Sequence, residues 1–575
     1  MNFAQLKKSS KKISAGFPVI KVAVLCDFAS QFLVQAFQGY GIEHGIKYDV
    51  FEADYNQVDR QIMDPTSEFY AFRPQFAVII RSSEHLLKDF YKIPLEQRAE
   101  FAARQLAHTG HLYNTIVSRL DCKVIMNTYP EINDRVFGNF GAKVKSSFIY
   151  QIRSLNLSLM DLSRSCKQLF LADFNTTIGH SGISNSFDPK MYIHADMVYN
   201  LDILPYLVKD IHDIIQAVNG RFKKCLILDL DNTVWGGIIG DDGMEGIQIG
   251  DLGLGKAFTD LQLWAKELKN RGVLLAVCSK NTEAIAKEPF ESHPDMVLKL
   301  SDIAIFVANW ENKVDNIRNI QSILNISFDS MVFVDDNPFE REMVKQAIPD
   351  LTVPPLPEDP SEYMPFLKAL NLFETASFTE EDLERTAQYQ VEAKRNILQQ
   401  SYDSEEKFLE SLQMRSKVRP FDPFIGPRVA QLSQRSNQFN LRTVRYTEED
   451  IARLASSVTH STISFTLEDT YGNYGLIAFV ILQHADPETL FIDSWVMSCR
   501  VLKRGMERFT LNKIVEAGKH GNFKQIVGEY IPTPKNGLVK DHYAALGFQP
   551  LDNNRWSLQI NDYPMEETKM FIQAK

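Results

Sequence analysis

Cysteine is scarce and scattered: six occur in 575 residues, at positions 26, 122, 166, 225, 278 and 499, with no Cys-x-x-Cys pair among them. That argues against a disulfide framework or a zinc knuckle and fits a reducing cytoplasm. Basic charge is also short, because 62 Lys and Arg face 73 Asp and Glu for a formal charge of −11. Such a chain has no general attraction to a polyanion, so nucleic acid is not the expected ligand. Long apolar runs are missing as well; no stretch approaches the roughly 20 residues that cross a bilayer. Lysines 7, 8, 11 and 12 precede the apolar stretch Phe17–Cys26, but Lys21 interrupts it and no small-residue cleavage site follows. Residues 1–19 are therefore expected to be a solvated tail leading into a strand.

What remains is the composition of a globular protein, 44% hydrophobic with 11% aromatic residues, in a chain far too long for one core. The organising stretch is Leu226-Ile-Leu-Asp229-Leu-Asp231-Asn-Thr-Val-Trp235. Side chains alternate along a strand, so Asp229 and Asp231 are expected to share a face where an apolar strand ends. That edge is where open α/β sheets bind ligands. One carboxylate there can attack phosphorus while its neighbour handles the leaving-group proton, and a magnesium ion would neutralise the crowded charge.

Three later stretches repeat the theme in order. Val273-Leu-Leu-Ala-Val-Cys278-Ser279 offers a hydroxyl at a strand end, Trp310-Glu-Asn-Lys313 a compact cation, and Met331-Val-Phe-Val-Asp335-Asp336 two more carboxylates for a hard, oxygen-seeking metal. The set resembles the haloacid dehalogenase (HAD) phosphotransferase superfamily. The resemblance implies Asp229 as nucleophile, Asp231 as general acid/base, Ser279 and Lys313 as phosphoryl clamps, and a magnesium site drawing on Asp229, Asp231, Asp335 and Asp336. Only 47 residues separate Asp231 from Ser279 and 33 separate Ser279 from Lys313, so neither gap can hold a sizeable cap domain. An open site reached by a large partner, or completed by a neighbouring domain, is expected.

Around this core, short β-branched runs at Val22–Cys26, Tyr48–Phe51 and Gln75–Ile80 alternate with amphipathic stretches, which predicts a first parallel α/β domain over 20–215. In outline it resembles an SGNH hydrolase or a flavodoxin-like sheet. The hydrolase pattern is damaged, since Ser30 is displaced in Asp27-Phe-Ala-Ser30, and Asp173 and Asp188 lie seven and six residues before His180 and His194. A docking or substrate-shaping module is expected. His108 and His111 read as solvated or capping residues. The HAD core spans 216–355. The proline-rich Val353–Pro360 opens a linker over 356–410 with a charged helical segment from Thr379 to Gln400.

A third α/β domain covers 411–575, with strands expected at Thr462–Leu467, Tyr474–Leu482 and Leu490–Met497. Arg500-Val-Leu-Lys503-Arg504-Gly505 then opens a helix to about Gly518, and backbone N–H groups at a helix start make a pyrophosphate cradle. This resembles the acyl-CoA site of GNAT acetyltransferases, as does Tyr543 in Asp541-His-Tyr543-Ala-Ala-Leu-Gly-Phe548. The resemblance implies CoA or phosphopantetheine bound near Arg500, Lys503, Arg504, Gly505 and Tyr543, although Lys503 stands where that motif has its first glycine.

Together with Asn232-Thr-Val-Trp-Gly-Gly237, Cys278-Ser-Lys-Asn281, Asp335-Asp-Asn-Pro-Phe-Glu-Arg341 and Leu432-Ser-Gln-Arg-Ser-Asn-Gln-Phe-Asn440, these features resemble the FkbH-like family. That resemblance implies dephosphorylation of 1,3-bisphosphoglycerate and loading of its glyceryl unit onto the phosphopantetheine thiol of an acyl carrier protein. Cys278, beside Ser279, has two readings. Its thiol could accept the acyl group first, or strand alternation turns it away as a small buried hydrophobe. Other readings are a phosphatase for a different phosphorylated metabolite, sugar or protein with an independent acyltransferase domain, and a non-enzymatic assembly protein.

Overall fold

Buried, β-branched strands set the architecture, which is α/β throughout. The computed structural model describes every residue except 380, 381, 384, 392–403, 471, 499, 500, 503, 534, 553, 574 and 575. The chain divides into two compact units, Met1–Gln216 and Ala217–Lys575.

In the first unit five parallel strands, β1 (Val19–Cys26), β2 (Lys47–Glu52), β3 (Phe76–Ile80), β4 (Lys123–Asn127) and β5 (Leu169–Ala172), run in the order β2-β1-β3-β4-β5. Near-continuous apolar strands of this kind are the signature of a sheet covered on both faces. The expected solvated tail is corrected here. Phe3–Ser9 is a helix whose Asn2 cap accepts from the Gln5 N–H. Phe3 and Leu6, three apart on one helical face, are buried. A Cβ on Gly39, in the helix Gln31–Glu43, would lie 1.9 Å from the Leu6 carbonyl oxygen, so only glycine admits the contact.

The second unit holds two sheets. The first is parallel, with β6 (Cys225–Leu228), β7 (Leu274–Ser279), β8 (Ile303–Ala308) and β9 (Met331–Val334) in the order β8-β7-β6-β9. Alternate residues fill opposite faces. Leu226, Leu228, Leu275, Val277, Val332 and Val334 enter one core layer. Cys225, Ile227, Leu274, Ala276, Cys278 and Phe333 enter the other. Only the helices Ile239–Gly246 and Gly255–Asn270 separate β6 from β7, and Glu283–Ser292 lies between β7 and β8, so no inserted cap domain is present.

The region read as a linker does not hang free. The helix Tyr363–Leu370 buries Tyr363, Met364 and Leu367 in the first of those layers, and the Tyr363 hydroxyl donates to the Asn232 carbonyl at 3.2 Å. Its apolar residues follow the proline-rich run too closely to leave the core. Residues 385–391 are helical, and the remainder of the expected charged helix falls largely outside the described residues.

The other sheet is mixed and nine-stranded, and its strands run in the spatial order Gln549–Pro550, Arg555–Gln559, Gln525–Glu529, Thr489–Met497, Gly472–His484, His460–Asp469, Arg415–Ser416 and Phe571–Ile572, with Val418–Arg419 also pairing His460–Asp469. Its long members, β12 (His460–Asp469), β13 (Gly472–His484) and β14 (Thr489–Met497), are antiparallel neighbours. The helix Met506–His520 crosses to β15 (Gln525–Glu529), parallel to β14.

Candidate active site

The carboxyl ends of β6, β7 and β9 and the start of the helix Lys313–Leu324 converge at one edge of the four-stranded sheet. Asp229 extends the ladder by one bond, its N–H donating to the Val334 carbonyl at 2.9 Å, and turns its carboxylate into the edge. Lys313 Nζ lies 3.1 Å from Asp229 Oδ2 and 2.6 Å from Asp335 Oδ2. Asp335 is fixed by the Asn337 N–H at 2.8 Å, and Asp336 by Thr233, whose hydroxyl accepts from the Asp336 N–H at 3.1 Å. Carboxylate oxygens of Asp229, Asp335 and Asp336 lie within 4.8 Å of one another. Asp229 Oδ1, fully buried, has no hydrogen-bond partner among the described residues.

Burial pushes the Asp229 carboxyl up to about 7, with Lys313 drawing it down and Asp335 pushing it further up. Asp336 is raised by burial and by the charge of Asp335. Burial alone would lower Lys313, but the adjacent Asp229 and Asp335 carboxylates hold it above the usual lysine range. A cation would lift the mutual repulsion of these carboxylates.

Asp231 stands apart from the carboxylate cluster. Its Oδ1 accepts from Trp235 Nε1 at 2.9 Å and from the Ile239 N–H at 3.0 Å, and its Oδ2 accepts from Asn281 Nδ2 at 2.8 Å. The expected place for its side chain among the metal ligands is thus not what the geometry brings together. The glycine-rich flap builds this arrangement. Asn232 (φ 53°) and Gly237 (φ 89°) take left-handed backbone, and a Cβ on Gly237 would meet Asp242 Oδ2 at 2.6 Å. Ser279 is buried at the end of β7, with Asn281 Nδ2 at 3.4 Å from its Oγ. Trp235 and Asn281 were not singled out from sequence as site residues; their place next to the phosphate-binding strand ends was the available signal.

The reading of Cys278 as a thiol at the mouth of the site is corrected. It shares parity with Leu274 and Ala276, packs in the layer opposite Val277, and points its Sγ at the Lys313 carbonyl, 3.8 Å away. Burial pushes the thiol far up, away from the reactive thiolate.

The FkbH N-terminal domain family matches residues 21–216. A crystal structure of the N-terminal part of the protein BF1531 from Bacteroides fragilis, containing a phosphatase domain complexed with Mg, is 49% identical. It is covered over 100% of its length, spans 66% of this chain and has a TM-score of 0.64. The chain belongs to the FkbH-like family. The C-terminal quarter is similar at lower levels to a spermidine N-acetyltransferase from Vibrio cholerae (13% identity, 25% of this chain, 94% of that one, TM-score 0.21) and to the GNAT domain of S. lividans PAT (14%, 25%, 89%, 0.20). No curated protein matches the chain.

In the C-terminal sheet of this FkbH-like chain, the residues read as a pantetheine cradle part company. Arg500 and Lys503 lie outside the described residues. Arg504 is corrected: it is buried, 3.1 Å from Asp469 Oδ2 and 4.8 Å over the Tyr474 ring, and offers no charge to a ligand phosphate. Gly505 (φ 76°) caps the helix Met506–His520, with open space where a Cβ would stand. Tyr543 is buried against Gly528, where a Cβ would come within 2.3 Å of its ring, and burial pushes its hydroxyl up.

Sequence reading also missed how Leu432–Asn440 is used. The ladder of β14 with β15 covers Thr489–Ile492, and the end of that motif with the residues after it fills the gap beyond. Met497 N–H donates to the Phe439 carbonyl at 3.2 Å and Ile531 N–H to the Leu441 carbonyl at 2.9 Å. Arg442 fastens both sides, pairing with Asp493 and, at 2.8 Å, with Glu529.

In the first unit, order β2-β1-β3-β4-β5 places a topological switch point between β1 and β3, where such sheets open a crevice. Asp27, Ser82, His85 and Asp196 meet there. Both Asp27 oxygens accept from the Ser82 N–H at 3.0 and 3.1 Å, and His85 Nε2 lies 3.1 Å from Asp196 Oδ1. The hydrogen bond to Asp27 raises the His85 imidazole above its ordinary value. Among the described residues, Ser30, Asp173 and Asp188 do not come together as a hydrolase triad. Ser30 donates to Glu52 at 2.7 Å, while Asp173 and Asp188 cap helices. His108 pairs with Asp59 at 3.1 Å.

Proposed function

We propose that this FkbH-like chain is a magnesium-dependent HAD-type phosphatase that dephosphorylates 1,3-bisphosphoglycerate or a related acyl phosphate and passes the glyceryl unit to the phosphopantetheine thiol of an acyl carrier protein. The observation that carries it is the unpartnered Asp229 Oδ1, held between Lys313 and the Asp335–Asp336 pair at a strand edge. Three carboxylates with an orphaned buried oxygen suit a hard dication, and the relative's bound Mg supports that choice. Asp229, Asp335 and Asp336 would hold it. When bound, it supplies charge neutralisation at the phosphoryl oxygens.

Asp229 Oδ1 forms a bond to phosphorus while the bond to the departing oxygen breaks, and Asp231 gives that oxygen its proton. Water then hydrolyses the aspartyl-phosphate, with Asp231 taking a proton back. Lys313 and Ser279 hold the transferring phosphoryl group, and Asn281 and Trp235 keep Asp231 aimed. On 1,3-bisphosphoglycerate the phosphoryl group that Asp229 takes is the ester at carbon 3, and the acyl phosphate at carbon 1 stays intact until the carrier thiolate adds to its carbonyl carbon and phosphate leaves as the thioester forms. The burial of Cys278 favours this direct transfer over a thioester on the enzyme.

Two features support a large acceptor. Among the described residues no cap domain is inserted into the phosphatase core, and Trp310 and Phe339, three residues from Lys313 and Asp336 respectively, are 74% and 71% exposed. In the C-terminal domain, the open helix start at Gly505 is, among the described residues read as the cradle, the feature suited to a pantetheine phosphate.

The test incubates the full chain with magnesium, 1,3-bisphosphoglycerate and a phosphopantetheinylated carrier, then measures phosphate release and the intact mass of the carrier. A glyceryl increment on the carrier is expected. Phosphate release with an unchanged carrier would leave a phosphatase and remove acyl transfer. Release that persists in Asp229→Asn would remove the site assignment as well.

A further inference from the structure

We propose that Lys280, held by Glu340, is the specificity-determining cation of the phosphatase site and receives a second anionic group of the substrate, at the end remote from the phosphoryl group that Asp229 attacks. The proposal rests on the reading of Asp229 as a phosphatase nucleophile and names the kind of substrate such a site selects.

The residues at the end of β7 part in different directions. Ser279 is buried, Asn281 Nδ2 reaches Asp231 Oδ2 at 2.8 Å, and Lys280 Nζ reaches Glu340 Oε1 at 2.6 Å. Glu340 stands in the first turn of the helix Pro338–Ala347, which follows β9. Because β6 lies between β7 and β9, the Lys280–Glu340 pair joins elements on either side of the strand that leads into Asp229. Leu228 pairs with Val277, so Asp229 continues the register level with Cys278. Lys280 therefore starts one strand spacing to the side, about 4.8 Å, and two residues farther out, roughly 6.6 Å. That is the solvent side of the nucleophile, where the rest of a bound substrate must lie.

The two lysines of this edge have different uses. Lys313 is almost wholly buried and is committed to Asp229 and Asp335. The Lys280 side chain is 37% exposed, and Glu340, 8% exposed, engages one of its N–H donors. Glu340 Oε2 is buried and has no hydrogen-bond partner among the described residues, so this carboxylate is given over to the ammonium. As a staple the pair would add little stability, because one partner stays open to water and salt. As a binding device it fits, since the buried carboxylate fixes the cation while the remaining donors face outward. A phosphate ester carries about −1.5 to −2 charges. The phosphoryl group at Asp229 has Lys313 to answer its charge, and a second phosphate or a carboxylate farther out has Lys280.

The experiment uses the full chain with magnesium and follows hydrolysis of 4-nitrophenyl phosphate in the presence of 3-phosphoglycerate or glycerol 3-phosphate as competitor. The two competitors share the ester and the neighbouring hydroxyl and differ at carbon 1, a carboxylate in one and an uncharged alcohol in the other. Wild type is expected to bind 3-phosphoglycerate about tenfold more tightly or better, as a hydrogen bond to a charged group provides. Lys280→Gln should bring the two inhibition constants within about twofold of each other, while Lys280→Arg keeps the preference and added salt erodes it. The ratio is taken within one variant, so a general loss of rate or of folded protein cancels. For a variant that turns over too slowly, calorimetry on the magnesium-loaded chain supplies the two dissociation constants. A wild type without preference, or a preference untouched in Lys280→Gln, overturns the proposal and leaves the phosphatase assignment standing. A wild type that releases phosphate from neither 4-nitrophenyl phosphate nor 1,3-bisphosphoglycerate fails the phosphatase reading itself, and the proposal with it.

Discussion

Lys313 Nζ and Asp229 Oδ2 stand 3.1 Å apart, both side chains almost wholly withdrawn from water. Lys313 pairs with the carboxylates of both Asp229 and Asp335, so Lys313→Met strips the cluster of the cation that bridges them. Removing one partner of a buried pair costs about 3–5 kcal/mol. A lowered melting temperature that magnesium partly restores is expected, with a loss in kcat of about 10²–10³. Melting unchanged with and without magnesium would refute this account of the cluster.

Asp229 and Asp231 follow one strand but meet different partners, and their substitutions separate accordingly. Asp229→Asn removes the attacking oxygen and is expected to abolish phosphate release. Asp231→Asn leaves the nucleophile in place and costs about 10²–10⁴-fold. Single-turnover assays with acid quench distinguish them, because only Asp231→Asn can still accumulate a phosphoenzyme that survives the quench and is cleaved by hydroxylamine. Equal residual rates would contradict the assigned roles.

Cys278 packs among aliphatic side chains beneath Lys313. Cys278→Ala is expected to keep its activity while losing modest stability, about 1 kcal/mol for so small a cavity. Peptide mapping after iodoacetamide treatment should find Cys278 unlabelled until the chain is denatured.

Asp210 supplies a pH dependence away from the catalytic edge. Burial raises its carboxyl to about 7 from 3.8, against the lowering effect of the Thr177 hydroxyl at 2.6 Å. A raised folded value means that the folded state binds the proton more tightly, so its contribution is complete below 3.8 and is lost as pH climbs to about 7. Asp210→Asn should therefore melt higher than wild type above that value and flatten the decline. A wild-type melting curve that rises through this window, with the variant unchanged, would be the contrary result.

Trp310 and Phe339 offer bare aromatic surface beside the site. Their double replacement by Ala is expected to raise KM for the carrier protein about tenfold or more, as losing an interface anchor does. Hydrolysis of a small aryl phosphate should stay within about twofold, since neither ring contacts the carboxylate cluster. Parallel changes with both substrates would make them substrate-pocket residues.

The sequence by itself determined the parallel strands of the phosphatase core and which carboxylates and lysine gather at its edge. Apolar runs closed by Asp229, Ser279 and Asp335 can hardly be anything but buried parallel strands, and the short gaps between these motifs left no room for a cap. Asp229 with Lys313 is local information, a strand end and a helix start whose meeting the fold family implies. Tertiary structure alone decided which neighbour each polar atom faces. Cys278 and Ser279 are adjacent in sequence, and only the pleat puts one in the core and the other at the site. Asp231 looks like a metal ligand until Trp235 and Asn281, distant by different amounts along the chain, are seen to hold it. Arg504 reads as a phosphate binder because arginine usually seeks an anion, and the anion it found was Asp469, 35 residues earlier.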